Sequence, residues 1–141
     1  MNRKILFRGQ RLNNSEWIEG NLLLSDDGKV ARIIIWNNIG YDEYPVDPAT
    51  IGQYTGVVDK NGKQVYEGDI IGYTDTGETS VFGVVKWYHE GNFYINSDSY
   101  CNYTSDNDCA NVGYMLNRAT TKLQVMGNIY DNPSMLKGGT Q

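Results

Sequence analysis

Few residues in this chain have the chemistry for catalysis, and the first to consider is its single histidine. His89 follows Trp87 and Tyr88 at the end of a predicted strand, where a histidine can act as a general base. Neither a Gly-x-Ser-x-Gly elbow nor a reactive-cysteine signature accompanies it, so the sequence supplies no nucleophile. An exposed turn histidine is therefore the simpler interpretation.

A second candidate is the tripeptide Asp75-Thr76-Gly77, which is also the active-site tripeptide of retroviral-type aspartic proteases. In such a site two aspartates share one proton and activate a water molecule. The second aspartate is not evident here, and the flanking residues Thr74 and Glu78 are polar rather than apolar. Because Asp, Thr and Gly are ordinary turn residues, the tripeptide predicts a hairpin turn and not a protease.

Donor atoms for a metal ion are present, but their spacing is unfavourable. Cys101 and Cys109 are not arranged as Cys-x-x-Cys, whereas structural zinc sites have ligands paired at close spacing. The segment 59–62, Asp-Lys-Asn-Gly, resembles the start of a calcium loop, but Lys60 adds a positive charge and the expected glutamate is missing. No phosphate-cradling glycine-rich sequence occurs either. We predict no catalytic residues, no metal and no cofactor.

The charge of −5 is unevenly distributed along the 141 residues. Four cations, Arg3, Lys4, Arg8 and Arg11, precede the first acidic residue, and from Leu12 onward 17 acids face 8 bases. Binding to phosphates requires clustered cations, so most of this surface is expected to repel nucleic acid. Only the N-terminal arm is an exception.

Composition predicts a single mainly β domain. The chain has 16 glycines and 11 tyrosines, which suit short strands joined by tight turns. No stretch approaches the ~18 apolar residues that cross a bilayer, and the first ten residues lack a signal peptide's apolar run. We expect a cytoplasmic protein with two reduced thiols and no membrane partner.

Turn signals separate the predicted strands. Asp27-Gly28 and Asn61-Gly62 each predict a hairpin, and Asp47-Pro48 predicts one helical turn. A Glu-Gly-Asn or Glu-Gly-Asp tripeptide recurs three times and is interpreted as turn chemistry. Residues 96–111 predict a long surface excursion, and a short helix is predicted to start at Asp131-Asn132-Pro133. The predicted strands are 4–8, 16–24, 30–36, 52–58, 64–66, 69–74, 80–88, 92–95 and 122–129.

Four segments together resemble the YopX family of small phage and prophage proteins. They are 4–8 with 17–22 (Trp-Ile-Glu-Gly-Asn-Leu), 51–56 with 59–63 (Asp-Lys-Asn-Gly-Lys), 66–71 (Tyr-Glu-Gly-Asp-Ile-Ile), and 125–133 (Val-Met-Gly-Asn-Ile-Tyr-Asp-Asn-Pro). Met126 replaces the isoleucine expected in the last segment, and residues 96–111 match no family pattern. The resemblance spans nearly the whole chain.

The resemblance implies a phage or prophage protein in a bacterial cytoplasm. It implies a mainly β fold whose second half is similar to a small SH3-like barrel, with one or two short helices and no known chemistry. We therefore expect an N-terminal β lobe over residues 1–50, packed as one compact unit on a barrel portion over 51–133, with a tail over 134–141.

Two functions remain open after the catalytic candidates are set aside. The first is a non-catalytic binding or adaptor module whose exposed aromatic residues bind a host or phage protein, with self-assembly into a homo-oligomer as a variant. The alternative is a single-stranded nucleic-acid binder that uses the basic arm and exposed tyrosines. The candidate binding residues of the two hypotheses are Arg3, Lys4, Arg8, Arg11, Tyr54, Tyr66, Trp87 and Tyr94.

Overall fold

The computed structural model describes residues 3–75, 77–88, 92–96 and 123–138. Antiparallel strands dominate these ranges, which confirms the predicted mainly β class. The strands are β1 (Phe7–Gln10), β2 (Trp17–Leu24), β3 (Ala31–Asn37), β4 (Gly40–Val46), β5 (Gly52–Val58), β6 (Gln64–Tyr66), β7 (Asp69–Asp75), β8 (Glu78–Tyr88), β9 (Asn92–Asn96) and β10 (Leu123–Asn128). A 3-10 turn, Pro48–Thr50, and a short helix, α1 (Ser134–Gly138), complete the described elements.

The chain divides into two compact units, Met1–Gly56 and Val57–Gln141. Strand order is β4-β3-β2-β1-β5-β6 in one sheet and β10-β7-β8-β9 in the other. Strand β5 crosses the division between the units, because it starts at Gly52 and ends at Val58.

The first unit has its own small core. Alternation along β3 and β4 buries Ala31, Ile33 and Val46, and this set is surrounded by partly buried apolar side chains. Those are Phe7, Ile18, Leu22, Ile35 and Ile51. An isolated bridge pairs Val46, the last residue of β4, with Arg11, which follows β1.

Gly20 lies inside β2, which confirms the predicted strand 16–24, so the turn interpretation of its Glu-Gly-Asn tripeptide was wrong at this position. A Cβ atom at this position would lie 2.6 Å from the carbonyl oxygen of Ile34 and 2.9 Å from Cγ2 of Ile33. Glycine is therefore required because the neighbouring strand packs too closely for any side chain. The requirement comes from the packing of β3 against β2, which the tripeptide alone does not indicate.

The predicted helical turn after Asp47 is confirmed. The Asp47 carboxylate accepts a hydrogen bond from the backbone N–H of Ala49 at 3.0 Å, and Pro48 occupies the first position of the turn. The Thr50 hydroxyl donates to the Asp47 carbonyl at 2.7 Å and accepts from the N–H of Gln10 at 2.9 Å. This turn thereby ties the end of β4 to β1.

The second unit is built on an open four-stranded sheet. Val65, Ile71, Val85, Ile95 and Leu123 form its buried core. Strand β10, predicted from its alternation, pairs with β7 and is confirmed. Its register shifts between Val125 and Gly127, so Met126 is the extra residue of a β-bulge.

Two predicted hairpin turns of this unit are confirmed. The N–H of Asp59 donates to the carbonyl of Lys63 at 2.8 Å, and Gly62 adopts a positive φ of 80°. In the second hairpin Asp75, the last residue of β7, lies opposite Glu78, and Gly77 adopts a positive φ of 83°.

The sequence prediction was wrong about strand β4, which it omitted, and about barrel closure. Among the described strands the two sheets are open and no closed barrel forms, because β10 and β9 lie at opposite edges of their sheet. The predicted short helix after Pro133 is present as α1. Within the described ranges, no helix has the length and apolar composition needed to cross a bilayer.

Candidate functional site

The hairpin between β3 and β4 is the most distinctive surface feature of the first unit. Asn37 pairs with Gly40, which leaves Asn38 and Ile39 as a two-residue loop. The Asn37 side-chain oxygen accepts a hydrogen bond from the N–H of Ile39 at 3.0 Å and stabilises the turn. The local sequence thereby places an isoleucine at the apex of the hairpin.

Three large apolar side chains are exposed at this apex. Ile39 is 97% exposed, Trp36 68% and Tyr41 52%. Trp36 and Tyr41 are cross-strand partners, and their rings meet edge to face with centroids 5.4 Å apart. We call Trp36, Ile39 and Tyr41 the aromatic tip. A cluster of this kind marks an interaction site more often than a single exposed residue does.

Two carboxylates continue from the aromatic tip along β4. Asp42 and Glu43 are both exposed, and they follow Tyr41 directly. Because side chains alternate along a strand, the two carboxylates point to opposite faces of the sheet. The tip therefore has an acidic rim on both faces.

The four cations of the N-terminal arm do not form one basic patch. Arg3 and Lys4 are exposed, whereas Arg8 is buried with its guanidinium 4.6 Å from the ring centre of Trp17. Arg11 lies 5.0 Å from the ring centre of Tyr44 and forms an ion pair with Glu16 at 3.7 Å. Half of the predicted arm thus stabilises the fold of the first unit.

The four aromatic candidates are also placed differently from one another. Tyr54 and Tyr66, two of the candidate binding residues, are buried, and a ring in the protein interior cannot stack on a ligand. Trp87 is half exposed and packs edge to face on Phe93, with centroids 4.9 Å apart. Tyr94 lies in β9, and its side chain is outside the described part of the structure.

Three of the segments that carry the family resemblance, 59–63, 66–71 and 125–133, contribute polar side chains to turns of the second unit. One oxygen of the buried Asp59 carboxylate accepts from the N–H groups of Asn61 and Lys63, each at 2.9 Å. Its other oxygen accepts from the N–H of Val125 at 2.9 Å and ties the turn to β10. This carboxylate satisfies three backbone donors, so its role is structural.

Two further signature positions have the same kind of role. The Asp69 carboxylate is buried and accepts from the N–H of Tyr66 at 2.8 Å. The Asn128 side-chain oxygen accepts from the N–H groups of Tyr130 and Asp131, at 3.0 Å and 2.9 Å. These three signature side chains, Asp59, Asp69 and Asn128, therefore stabilise turns.

Other candidates from the sequence lie outside the described residues. They are His89, Cys101, Cys109 and the predicted excursion over 96–111, except for its first residue, Asn96. Within the described ranges, no three His, Cys, Asp or Glu side chains come close enough together to hold a metal ion.

Sequence reasoning missed the aromatic tip because it missed β4. The available signal was Asn37-Asn38 followed by Gly40, which is a turn sequence flanked by Trp36 and Tyr41. Asp42, Glu43 and Pro45 hide the alternation that normally identifies a strand.

Fold and surface together define a mainly antiparallel β protein of two units, with structural carboxylates in its turns and an exposed aromatic hairpin. The YopX protein family matches residues 6–137. The chain therefore belongs to the YopX family.

Among solved structures, the crystal structure of protein EF1440 from Enterococcus faecalis is similar to this chain. The likeness covers 96% of this chain and 99% of that chain, with a TM-score of 0.56 and 23% sequence identity. At this identity the likeness shows the fold alone. Comparison with curated proteins gives no match.

Proposed function

We propose that this YopX-family chain is a non-catalytic binding or adaptor module of a phage or prophage. It acts in the cytoplasm of the bacterial host and binds another protein through the aromatic tip. The exposure of Trp36, Ile39 and Tyr41 together on one hairpin is the observation that carries this proposal. Trp and Tyr are the residues most enriched among binding hot spots, and their rings lose little entropy on binding.

The surroundings of the tip indicate the chemistry of the partner. Asp42 and Glu43 add negative charge beside the apolar side chains, and the chain from Leu12 onward is acidic. A partner with an apolar pocket and a basic rim is complementary to this surface. Complementary charge also raises the association rate at low ionic strength.

Nucleic-acid binding through the N-terminal arm is less well supported. Arg8 and Arg11 contact the rings of Trp17 and Tyr44, which leaves Arg3 and Lys4 as the arm's exposed cations. Two cations release few counterions, and the acidic remainder of the chain opposes the approach of phosphates.

The proposal is tested by photo-crosslinking in bacteria that carry the phage or prophage. A photoreactive phenylalanine analogue replaces Ile39 at the apex, and crosslinked partners are identified by mass spectrometry. We expect one predominant protein adduct. Trp36→Ala in the same chain should lower the adduct yield by roughly tenfold or more, because hot-spot truncations cost about 2 kcal/mol or more.

Trp87 offers a matched control, because it is an exposed tryptophan packed edge to face on one neighbour, as Trp36 is. The photoreactive residue placed at position 87 instead of 39 should not give this adduct. In the chain that carries it at position 39, Trp87→Ala should leave the adduct unchanged in identity and yield. Equal adducts at both positions, or an adduct at 39 that is insensitive to Trp36→Ala, would contradict the proposal.

A further inference from the structure

Strand β4 lies at the edge of its sheet. In the described part of the chain, residues 40–44 pair on one side only, with β3. Tyr41, Asp42 and Glu43 are exposed along this length. An exposed strand edge offers backbone hydrogen-bonding groups to any extended segment that can lie beside it.

The direction of these backbone groups follows from one hydrogen bond. The carbonyl of Pro45 accepts from the N–H of Leu12 at 3.2 Å, so the Pro45 carbonyl points away from β3. In an antiparallel pair the peptide groups of every second residue point the same way. The N–H and C=O groups of Tyr41 and Glu43 therefore also point away from β3, toward the open edge.

A shallow pocket lies at the end of this edge that is remote from the hairpin apex. Arg11, Leu12, Asn13 and Pro45 line it, and its volume is about 130 Å³. That volume suits one aliphatic side chain. The distance from Tyr41 to Pro45 corresponds to about 13 Å of extended chain, or about five residues.

Charge decides between the possible occupants of the edge. Asp42 and Glu43 lie in the middle of the open segment, and residues 12–56 contain seven acids and two bases. Antiparallel pairing of two copies of β4 would place these carboxylates opposite one another, which is unfavourable. A segment that carries lysine or arginine has the opposite, favourable pairing.

We propose that the edge of β4 is a docking site for a short, extended, lysine- or arginine-bearing segment of a protein partner, which adds to the sheet as a further strand. The inference deepens the proposed function, because it names the partner segment that lies beside the aromatic tip. Backbone hydrogen bonds to Tyr41 and Glu43 hold the segment, and Asp42 and Glu43 select its charge.

The test uses nuclear magnetic resonance on the full chain with defined peptides. The first peptide is six residues long, blocked at both ends, and alternates Lys with Thr or Val. The second has Glu in place of Lys, and the third is the Lys peptide N-methylated on the alternate residues that would donate to β4. We expect the Lys peptide, at about 1 mM, to slow hydrogen exchange of the Tyr41 and Glu43 amides severalfold.

The Glu peptide and the N-methylated peptide should have no such effect. The double variant Asp42→Asn/Glu43→Gln should bind the Lys peptide about fivefold more weakly, as expected for two exposed ion pairs. Equal binding of the N-methylated peptide would overturn strand addition, since charge alone would then explain binding. Absence of any effect of the Lys peptide would also overturn it.

Two outcomes separate this inference from the proposed function. If the crosslink at position 39 forms and depends on Trp36, but the Lys peptide leaves β4 unchanged, strand addition is overturned and the binding function stands. If light scattering shows a dimer whose Tyr41 and Glu43 amides are slowed without peptide, the edge is occupied by a second copy and the inference is overturned.

Discussion

The family-signature turns and the aromatic tip are opposites in almost every physical respect. In the turns of the second unit, Asp59, Asp69 and Asn128 are buried and accept hydrogen bonds from backbone N–H groups. At the tip of the first unit, Trp36 and Ile39 are apolar and exposed. The turns use polar groups inside the protein, whereas the tip leaves apolar groups in water.

Burying a carboxylate and exposing apolar side chains to water are both unfavourable in free energy, and each needs an explanation. A buried carboxylate is unfavourable unless it satisfies donors that would otherwise lose water, and Asp59 satisfies three. An exposed Trp and Ile on one hairpin contribute little to a core, which is why we propose that they contact another molecule. The residues that identify the family thus maintain the fold, and the residues that we propose bind a partner lie elsewhere.

The largest effect expected from this comparison is at Asp59. Asp59→Ala leaves the N–H groups of Asn61, Lys63 and Val125 without their acceptor. We expect a loss of about 3 kcal/mol in the free energy of unfolding, since charge-assisted hydrogen bonds contribute about 1.5–3 kcal/mol each and the loop relaxes in part. Urea unfolding monitored by tryptophan fluorescence measures the change.

The neighbouring residue Lys60 supplies the control, because it is exposed in the same turn. Lys60→Ala should change the free energy of unfolding by less than about 0.5 kcal/mol. Asp59→Asn keeps one acceptor oxygen, so its loss in the free energy of unfolding should lie between those of Asp59→Ala and Lys60→Ala. An Asp59→Ala protein as stable as the Lys60→Ala protein would show that the signature carboxylate is not structural.

A smaller effect on stability is expected at the tip. Trp36→Ala removes the edge-to-face contact with Tyr41 but opens no cavity, because the side chain is mostly in water. We expect the free energy of unfolding to fall by about 0.5 kcal/mol, the usual size of an aromatic cross-strand pair. The same urea titration measures it, and a loss as large as that of Asp59→Ala would mean that the tip serves the fold.

The parts of the fold that were predictable from sequence are those specified within a few residues. Asn61-Gly62 and Asp47-Pro48 each contain the whole of their turn chemistry, and the structure confirms both. Alternation over residues 123–128 likewise predicted β10. In these segments the local conformational preference and the tertiary structure agree, so a few consecutive residues are sufficient to predict the structure.

The remaining features depend on residues far apart in the chain. The hydrogen bond from Val125 to Asp59 spans 66 positions, and the lack of space at Gly20 is caused by β3. Alternation assigns Trp36 and Tyr41 to one face of the sheet but does not say whether a core covers that face. The burial of Tyr54 and the exposure of Trp36 therefore could not be distinguished in advance.

The smallest expected effect is in the β2–β3 turn, where the exposed carboxylate of Asp27, like that of Asp59, accepts from the backbone N–H two residues further along the chain. The N–H of Lys29 donates to Asp27 at 3.0 Å and the Ser25 hydroxyl donates to it at 2.7 Å, and these bonds hold the pKa of Asp27 below its ordinary value of 3.8. The contribution of the carboxylate to stability is therefore complete above pH 3.8 and is lost as the pH falls through the lowered pKa.

Ser25→Ala should move the pKa of Asp27 upward, toward 3.8, because one donor to the carboxylate is removed. Titration of the Asp27 side-chain carbon resonance in both proteins measures the shift. The shift should be partial, since the Lys29 N–H, the stronger of the two causes, remains in place. An unchanged pKa would mean that the Lys29 N–H alone lowers the pKa of Asp27. The Ser25 hydroxyl would then have no part in stabilising this exposed carboxylate.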